Sequence, residues 1–263
     1  MKTVSANGIQ INVHDEGQGK PILFVHGFPL DHQMWREQFP LASDFRVIAP
    51  DLRGFGKTTV TEGTVTMETH ADDLAALLDE LAISEKIVLC GLSMGGYVAW
   101  PFHRKYGNRL RGLILCDTRA IADSPEAITN RRKLAATVLE HGTEPVAAAM
   151  MPNLFAEAST EKRREAIELT RQTLIANSPT GIAAASLGMA ERPDVTPDLP
   201  GIETPTLLIV GEDDRISPVE EMQGIAEAIP KAELVVVPEA GHMSPLENPE
   251  PVNVAIHNFV TRN

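Results

Sequence analysis

The chain of 263 residues has no long apolar run and no basic leader segment. No apolar stretch approaches the roughly 18 residues that a membrane span needs. The first residues, Met1 to Val13, contain no apolar segment behind a basic start, which argues against a cleaved signal peptide. We therefore expect a protein that stays in the cytoplasm and does not contact membranes.

Basic residues and cysteines are also scarce. The 23 Lys and Arg residues are outnumbered by 36 Asp and Glu, which gives a formal net charge of −13. This charge opposes non-specific binding to nucleic acid and to anionic membrane surfaces, so neither is an expected partner. Cys90 and Cys116 lie in short apolar runs and fit no metal or redox spacing, so we predict inert core thiols.

Short apolar runs alternate with longer segments of helical periodicity. The runs are apolar on consecutive residues, which is typical of parallel strands covered by helices on both faces. A hairpin is predicted around the Asn7-Gly8 turn, and Asp31 is expected to cap a helix over 32–39. The other predicted strands are 21–25, 45–49, 86–90, 113–116, 206–210 and 234–237, and the other predicted helices are 66–81, 94–106, 220–228 and 249–259.

One long segment breaks this alternation. Residues 120–198 contain no convincing strand but several alanine-rich helical stretches punctuated by prolines. The sequence therefore predicts an open α/β sheet formed by residues 1–119 and 199–263, with residues 120–198 inserted as a helical cap. Pro101 lies inside a predicted helix, where it removes a backbone hydrogen bond to Tyr97 and favours a kink near Trp100.

The segment Gly91-Leu-Ser93-Met-Gly95 has the pattern G-x-S-x-G between a predicted strand and a predicted helix. Small residues allow the sharp turn that exposes the serine hydroxyl above a helix N-terminus. A serine nucleophile needs a base, and the base needs a group that orients it. Loops after two later strands supply candidates, because Asp213 and Asp214 follow one strand and His242 follows the next.

These segments resemble the α/β-hydrolase superfamily from His26 to Pro249. The chain is most similar to the group containing 3-oxoadipate enol-lactone hydrolases and related small esterases. The resemblance implies an eight-stranded, mostly parallel sheet with flanking helices and a helical cap after the sixth strand. The matching segments are 26–35, 51–56, 91–96, 211–214 and 241–242.

The same resemblance implies a catalytic triad of Ser93 as nucleophile, His242 as general base and then acid, and Asp214 as the orienting carboxylate. Asp213 is one alternative for the third role. Asp117 is another, because some members of the superfamily carry their acid after the preceding strand. No metal or organic cofactor is expected.

Acyl transfer places negative charge on a carbonyl oxygen, so two backbone N–H groups should point at it. Met94 follows the nucleophile and supplies one, and the resemblance assigns the other to Phe28. Arg119 could neutralise a substrate carboxylate, although an ordinary salt bridge is an equal alternative. The candidate pocket residues are Trp100, Leu154, Phe155 and Met189, with Met150, Met151 and Leu187 as further wall candidates from the cap.

The sequence thus predicts a serine hydrolase that cleaves a small carboxylic ester or lactone through an acyl-enzyme. Two alternatives remain. One is a cofactor-free haloperoxidase or perhydrolase, which shares these motifs. The other is a ligand receptor of this fold that retains the triad with little turnover.

Overall fold

The computed structural model describes residues 1–263, and its centre is a single eight-stranded sheet. The spatial order of the strands is β1-β2-β4-β3-β5-β6-β7-β8. Pairings β1/β2 and β2/β4 are antiparallel, and all others are parallel. The strands are β1 (Lys2–Ala6), β2 (Ile9–Glu16), β3 (Pro21–Val25), β4 (Arg46–Pro50), β5 (Ile87–Leu92), β6 (Leu110–Cys116), β7 (Thr206–Gly211) and β8 (Ala232–Val237).

Ten α-helices accompany the sheet, and their longest uninterrupted series lies between β6 and β7. They are α1 (Met67–Glu80), α2 (Met94–Tyr106), α3 (Pro125–His141), α4 (Glu144–Leu154), α5 (Ser159–Lys162), α6 (Arg164–Ala176), α7 (Pro179–Ala190), α8 (Val219–Ala228), α9 (Ser244–Glu247) and α10 (Pro249–Arg262). Short 3-10 helices cover His32–Trp35, Phe39–Ser43, Gly107–Arg109 and Thr196–Gly201. No helix has the length and apolar character required to cross a membrane.

Burial along the strands agrees with the predicted architecture, in which helices cover both faces of the sheet. Every residue of β3, β5 and β7 is buried, as expected for strands that have cover on both faces. The edge strands β1 and β8 are largely exposed or half-buried. The mostly parallel sheet of eight strands, predicted from the apolar runs and the family resemblance, is confirmed.

The hairpin prediction is also confirmed. Asn7 and Gly8 both have positive φ, 46° and 76°, as a two-residue turn of the type favoured by Asn-Gly requires. Strands β1 and β2 pair in register through Ala6 and Ile9 on either side of this turn.

The helix predicted over 32–39 is wrong in kind and length. The Asp31 side chain does accept a hydrogen bond from the Gln33 N–H, so the cap is present. The element is nevertheless a 3-10 helix that ends at Trp35, and a second one begins at Phe39. The backbone hydrogen bonds run three residues back, from Arg36 to Gln33 at 3.1 Å and from Gln38 to Trp35 at 2.8 Å, which is the 3-10 pattern, and Pro40 lies in the first turn of the second 3-10 helix, where its missing N–H is not needed.

The helices α3–α7, which we call the inserted helices, occupy the place predicted for a cap, and no strand interrupts them. The division of the chain into a core and a cap domain stays a prediction. Helix α2 continues through Pro101 to Tyr106, so the proline does not end it. Cys90 and Cys116 are free and fully buried, and burial raises the pKa of the Cys116 thiol, as expected for core thiols.

Candidate active site

Ser93 occupies the turn between β5 and α2 in a strained backbone conformation. Its φ of 53° and ψ of −111° are rarely adopted by residues other than glycine. The turn is held by hydrogen bonds on both sides: the Ser93 N–H donates to the Cys116 carbonyl at 2.9 Å, and the Thr118 hydroxyl donates to the Ser93 carbonyl at 2.7 Å. Strain of this kind persists only where the surroundings enforce it, and it is often found at functional sites.

The glycines of the motif permit close backbone contact around this turn. A Cβ on Gly91 would lie 2.4 Å from the Gly95 carbonyl oxygen, and a Cβ on Gly95 would lie 2.1 Å from the Val25 carbonyl oxygen. A Cβ on Gly27 would lie 3.5 Å from the Ser93 Cβ. The loop after β3 therefore packs directly against the serine turn.

His242 and Asp214 meet at the ends of β8 and β7. The imidazole Nδ1 lies 2.9 Å from Oδ2 of Asp214, and both side chains are buried. The other carboxylate oxygen, Oδ1, accepts the N–H groups of Ile216 at 2.8 Å and Ser217 at 3.1 Å. An ionised carboxylate only accepts hydrogen bonds, so it favours the tautomer with the proton on Nδ1, which leaves Nε2 as the free basic nitrogen.

The other two candidate acids have different surroundings. Asp213 is exposed. Asp117 is buried at the end of β6, where it accepts the Gly211 N–H at 2.9 Å and the Ser244 hydroxyl at 2.5 Å. Burial, assisted by the negative charge of Asp214, raises the pKa of Asp117 well above its ordinary value. Of the three, only Asp214 is hydrogen-bonded to His242.

Sheet topology places Ser93 at the same edge as this pair. Strands β5, β6, β7 and β8 are adjacent and parallel, so the loops that follow them leave from one edge of the sheet. The structure has no hydrogen bond between the Ser93 hydroxyl and His242. Catalytic hydrogen bonds are often long in the absence of substrate and shorten when it binds.

The two predicted amide donors lie beside the serine turn. Met94 is the first residue of α2, and the N–H groups of the first helical turn have no partner within the helix. Phe28 follows Gly27, and its N–H has no hydrogen-bond acceptor within the protein. The Phe28 ring packs edge-on against Phe55, with centroids 6.1 Å apart, which anchors this loop. Both N–H groups are therefore free to donate a hydrogen bond to a substrate oxygen.

Arg119 adopts the salt-bridge alternative. Its Nε lies 2.8 Å and 3.0 Å from the two carboxylate oxygens of Glu221, at the start of α8. Trp100 donates its indole N–H to the Arg119 carbonyl at 3.0 Å. Trp100 also lines a surface groove of about 490 Å³ that contains none of Ser93, Asp214 and His242. Arg119 and Trp100, both predicted to contact substrate, are therefore hydrogen-bonded to other residues of the protein.

Two predicted pocket residues from the inserted helices lie against the His242 loop. The Leu154 carbonyl accepts the Met243 N–H at 3.2 Å, and a Cβ on Gly241 would lie 3.0 Å from the Phe155 carbonyl carbon. Met189 is buried on α7, which packs against Val65 ahead of α1. The other wall candidates, Met150, Met151 and Leu187, are partly buried against the core.

Sequence reasoning missed Glu247 and Thr118. Glu247 ends α9, is buried, and accepts hydrogen bonds from backbone amides beside His242. The only sequence signal was an acidic residue five positions after the histidine, which is no stronger than that of any surface glutamate. Thr118 bonds to Ser93 from a distant part of the chain, so nothing local in the sequence indicates the contact.

One cluster consists of aspartate and histidine side chains, which are residue types that often bind metal ions. Atoms of Asp31, His32 and Asp51 lie within 4.8 Å of one another. Both oxygens of Asp51 already accept protein hydrogen bonds: Oδ1 from the His32 N–H, and Oδ2 from Asn12 and the Lys57 N–H. These contacts show that the Asp51 carboxylate holds neighbouring loops together through hydrogen bonds.

Comparison with known proteins supports the assignment of the fold. A family model described as alpha/beta hydrolase fold matches residues 20–249. A thermophilic esterase from Thermogutta terrifontis, whose structure was solved with malate bound, is 50% identical, with 99% of this chain and 98% of that chain covered and a TM-score of 0.97. The 3-oxoadipate enol-lactonase 2 of Acinetobacter baylyi is 30% identical, with 99% and 96% covered. A putative non-heme chloroperoxidase from Synechocystis is 27% identical, with 96% and 95% covered.

Proposed function

Because the chain belongs to the alpha/beta hydrolase family, we propose that it is a serine hydrolase that cleaves carboxylic esters or lactones through an acyl-enzyme. The observation that carries the proposal is the buried 2.9 Å contact between His242 and Asp214, at the same edge of the sheet as the strained turn at Ser93. An imidazole oriented by a carboxylate is what a serine hydroxyl needs in order to become a nucleophile. The esterase and lactonase relatives support the same class of reaction.

The mechanism follows from the roles of these groups. His242 Nε2 removes the proton of the Ser93 hydroxyl as its oxygen attacks the substrate carbonyl carbon. The resulting oxyanion is stabilised by the N–H groups of Phe28 and Met94. The imidazolium, stabilised by Asp214, protonates the leaving alcohol or the ring-opened end of a lactone. Water activated by His242 then attacks the acyl-enzyme, releases the acid and restores the serine.

We infer that neutral substrates are favoured over carboxylated ones. An enol-lactone acid needs a cation for its carboxylate, and Arg119 was the candidate from the sequence. Its guanidinium is paired with Glu221, which lowers its capacity to bind a second carboxylate.

A substrate panel tests both statements. Neutral short-chain esters and lactones are compared with carboxylated lactones, with Ser93→Ala as the blank and Arg119→Ala as the test of the guanidinium. We expect turnover of neutral substrates, loss of that turnover in Ser93→Ala, and little effect of Arg119→Ala. A strong preference for carboxylated lactones that disappears in Arg119→Ala would overturn the substrate assignment. Tight binding of these compounds without turnover would favour a receptor.

The chloroperoxidase relative supports a second candidate, a cofactor-free perhydrolase. The same acyl-enzyme would then be attacked by hydrogen peroxide in place of water, giving a peracid. Peracid formation in acetate plus peroxide is compared with ester hydrolysis by the same preparation. A rate of peracid formation well above that of ester hydrolysis would favour the perhydrolase.

A further inference from the structure

The carboxylate of Glu247 is buried beside the loop that carries His242. Its Oε1 accepts the N–H of Gly241 at 2.9 Å and the N–H of Met243 at 3.1 Å. Gly241 and Met243 are the two chain neighbours of His242. One carboxylate oxygen therefore binds the amide on each side of the histidine.

The other oxygen reaches a different part of the chain. Oε2 accepts the N–H of Ala156 at 2.7 Å, immediately after the end of α4. The Met243 N–H is shared with the Leu154 carbonyl at 3.2 Å. The same side chain therefore connects the inserted helices to the histidine loop.

Backbone contacts around Glu247 reinforce this connection. Arg163, between α5 and α6, donates its Nε to the Glu247 carbonyl at 2.8 Å. A Cβ on Gly241 would lie only 2.7 Å from the Ala156 nitrogen, so the two segments pack backbone to backbone. The chain from Leu154 to Arg163 thus encloses the histidine loop.

The charge of Glu247 has no ionic partner. No basic side chain forms a salt bridge with its carboxylate, and Arg163 contacts only its carbonyl. Three amide N–H groups, together with the Ser159 side chain, supply the stabilisation instead. Burial raises the pKa of Glu247. Burying a carboxylate without a cation is costly unless hydrogen bonds compensate, so this geometry depends on all three amides.

We propose that Glu247 is a positioning residue for catalysis, which holds His242 through the amides of Gly241 and Met243 and makes that position depend on the inserted helices through Ala156. The inference rests on the proposed role of His242 as general base. Proton transfer requires the imidazole within hydrogen-bond reach of the serine, and small displacements are penalised heavily. Removal of the carboxylate should therefore affect the chemical step more than substrate binding.

Variants at position 247 separate positioning from a merely structural role. In Glu247→Ala all three acceptor contacts disappear. Glu247→Gln preserves the shape and one acceptor oxygen, so it can still bind the amides beside His242 but not Ala156 as well. We expect Glu247→Ala to lower kcat by about 100-fold with little change in KM. Glu247→Gln should recover part of that loss.

Glu239→Gln is the matched control. Glu239 precedes His242 in the same loop, is exposed, and its carboxylate contacts Lys162 of the inserted helices at 2.9 Å. It also links the two segments, but it does not contact the amides beside His242. We expect kcat and KM of this variant to match those of the wild type.

All rates are measured well below each variant's melting temperature and per folded molecule. Wild-type kcat in Glu247→Ala, with only the melting temperature lowered, overturns the proposal. So does a change confined to KM. If Ser93→Ala is inactive while these variants behave as wild type, only this inference fails. If Ser93→Ala retains turnover, the proposed function fails and the inference fails with it.

Hydrogen exchange in the wild type provides a measurement that needs no variant. Amides held by a buried carboxylate should exchange as slowly as those of the sheet interior. We expect this protection at Gly241 and Met243. Exchange at the rate of an exposed loop at both positions would overturn the proposal, even if the variants fail to fold.

Discussion

At the scale of single residues, three buried carboxyl groups lie around the His242 loop and differ in their partners. Asp214 contacts the imidazole, Asp117 contacts a serine hydroxyl and a backbone amide, and Glu247 contacts three backbone amides and the Ser159 side chain. The partner decides the chemistry of each group. In the proposed mechanism, Asp214 stabilises the positive charge on His242 most directly, because it is the carboxylate that touches the imidazole.

Replacement of Asp214 tests this distinction. Asp214→Asn can still accept the N–H groups of Ile216 and Ser217, but its amide favours the wrong imidazole tautomer. We expect kcat to fall by about 10⁴-fold, as in the best-studied triads. Steady-state kinetics on a neutral ester provides the measurement. The adjacent, exposed Asp213→Asn is the control and should be unaffected; loss of activity in Asp213→Asn alone would transfer the role to that residue.

At the scale of secondary-structure elements, the contact between the β3 loop and the start of α2 creates the site. Gly95 permits this contact, because any side chain there would meet the Val25 backbone. The same contact places the loop of Phe28 against the turn that carries Ser93 and Met94. The spacing of the two amide donors thus depends on a glycine that performs no chemistry.

Gly95→Ala should therefore damage both stability and activity. The added methyl would lie 2.1 Å from the Val25 carbonyl oxygen, so one backbone segment must move. Overpacking of this kind costs about 1–3 kcal/mol, which urea unfolding measures. Gly224→Ala is the control: Gly224 lies on α8 with no atom near its added Cβ, and alanine there should stabilise by about 0.5–1 kcal/mol. Equal effects at the two positions would contradict the packing argument.

The elements themselves could be predicted from local patterns, but several contacts between them could not. Consecutive apolar residues indicated β3, β5 and β7 because burial on both faces leaves that pattern. The pairing of Arg119 with Glu221 joins residues that are distant in sequence, so no spacing rule predicts it. The capping signal at Asp31 correctly placed the start of the helix expected over 32–39, but it carries no information on whether the bonds that follow run three or four residues back.

The residues of the candidate site also fall into two groups, those with a local sequence signal and those without one. Ser93, Asp214 and His242 stood out because their loops have distinctive sequences and follow predicted strands. Glu247 did not, since its importance arises from three amides that only the folded chain assembles.

At the scale of the whole molecule, Asp51 joins several loops near the end of β4. It accepts hydrogen bonds from the Asn12 side chain at 2.7 Å and from the Lys57 N–H at 3.0 Å, and Oδ1 lies 2.6 Å from the His32 Nδ1. Burial alone would raise the pKa of Asp51, but His32 outweighs it and lowers the pKa to about 2. Burial alone would lower the pKa of His32, but Asp51 outweighs it and raises the pKa above 6.5.

The pH dependence of unfolding tests this pair. Because the pKa of His32 is raised in the folded state, its ion pair stabilises the fold fully below pH 6.5. This stabilisation is lost as the pH rises through the folded-state pKa. Because the pKa of Asp51 is lowered in the folded state, its ionised carboxylate stabilises the fold above pH 3.8. This stabilisation is lost as the pH falls towards about 2. His32→Gln should therefore lose more stability relative to wild type at about pH 5.5 than at about pH 9 by urea unfolding.

His257→Gln is the control for this experiment. His257 lies 3.7 Å from Asp44 at the surface, where both side chains are about half-exposed, and ion pairs with this exposure contribute little to stability. We expect little loss of stability in this variant at either pH. A loss in His32→Gln that is the same at both pH values would show that the ion pair does not contribute.

The proposed mechanism requires that Ser93 carries the acyl group during turnover. Mass spectrometry of the whole protein and of its peptides detects this adduct. The wild type is mixed with a slowly hydrolysed aryl ester, quenched in acid and digested to locate the adduct. We expect one acyl group on Ser93, no adduct in Ser93→Ala, and a kcat for that variant lower by roughly 10⁶-fold. Turnover by purified Ser93→Ala near the wild-type rate, or an acyl group on another residue, would contradict the proposed mechanism.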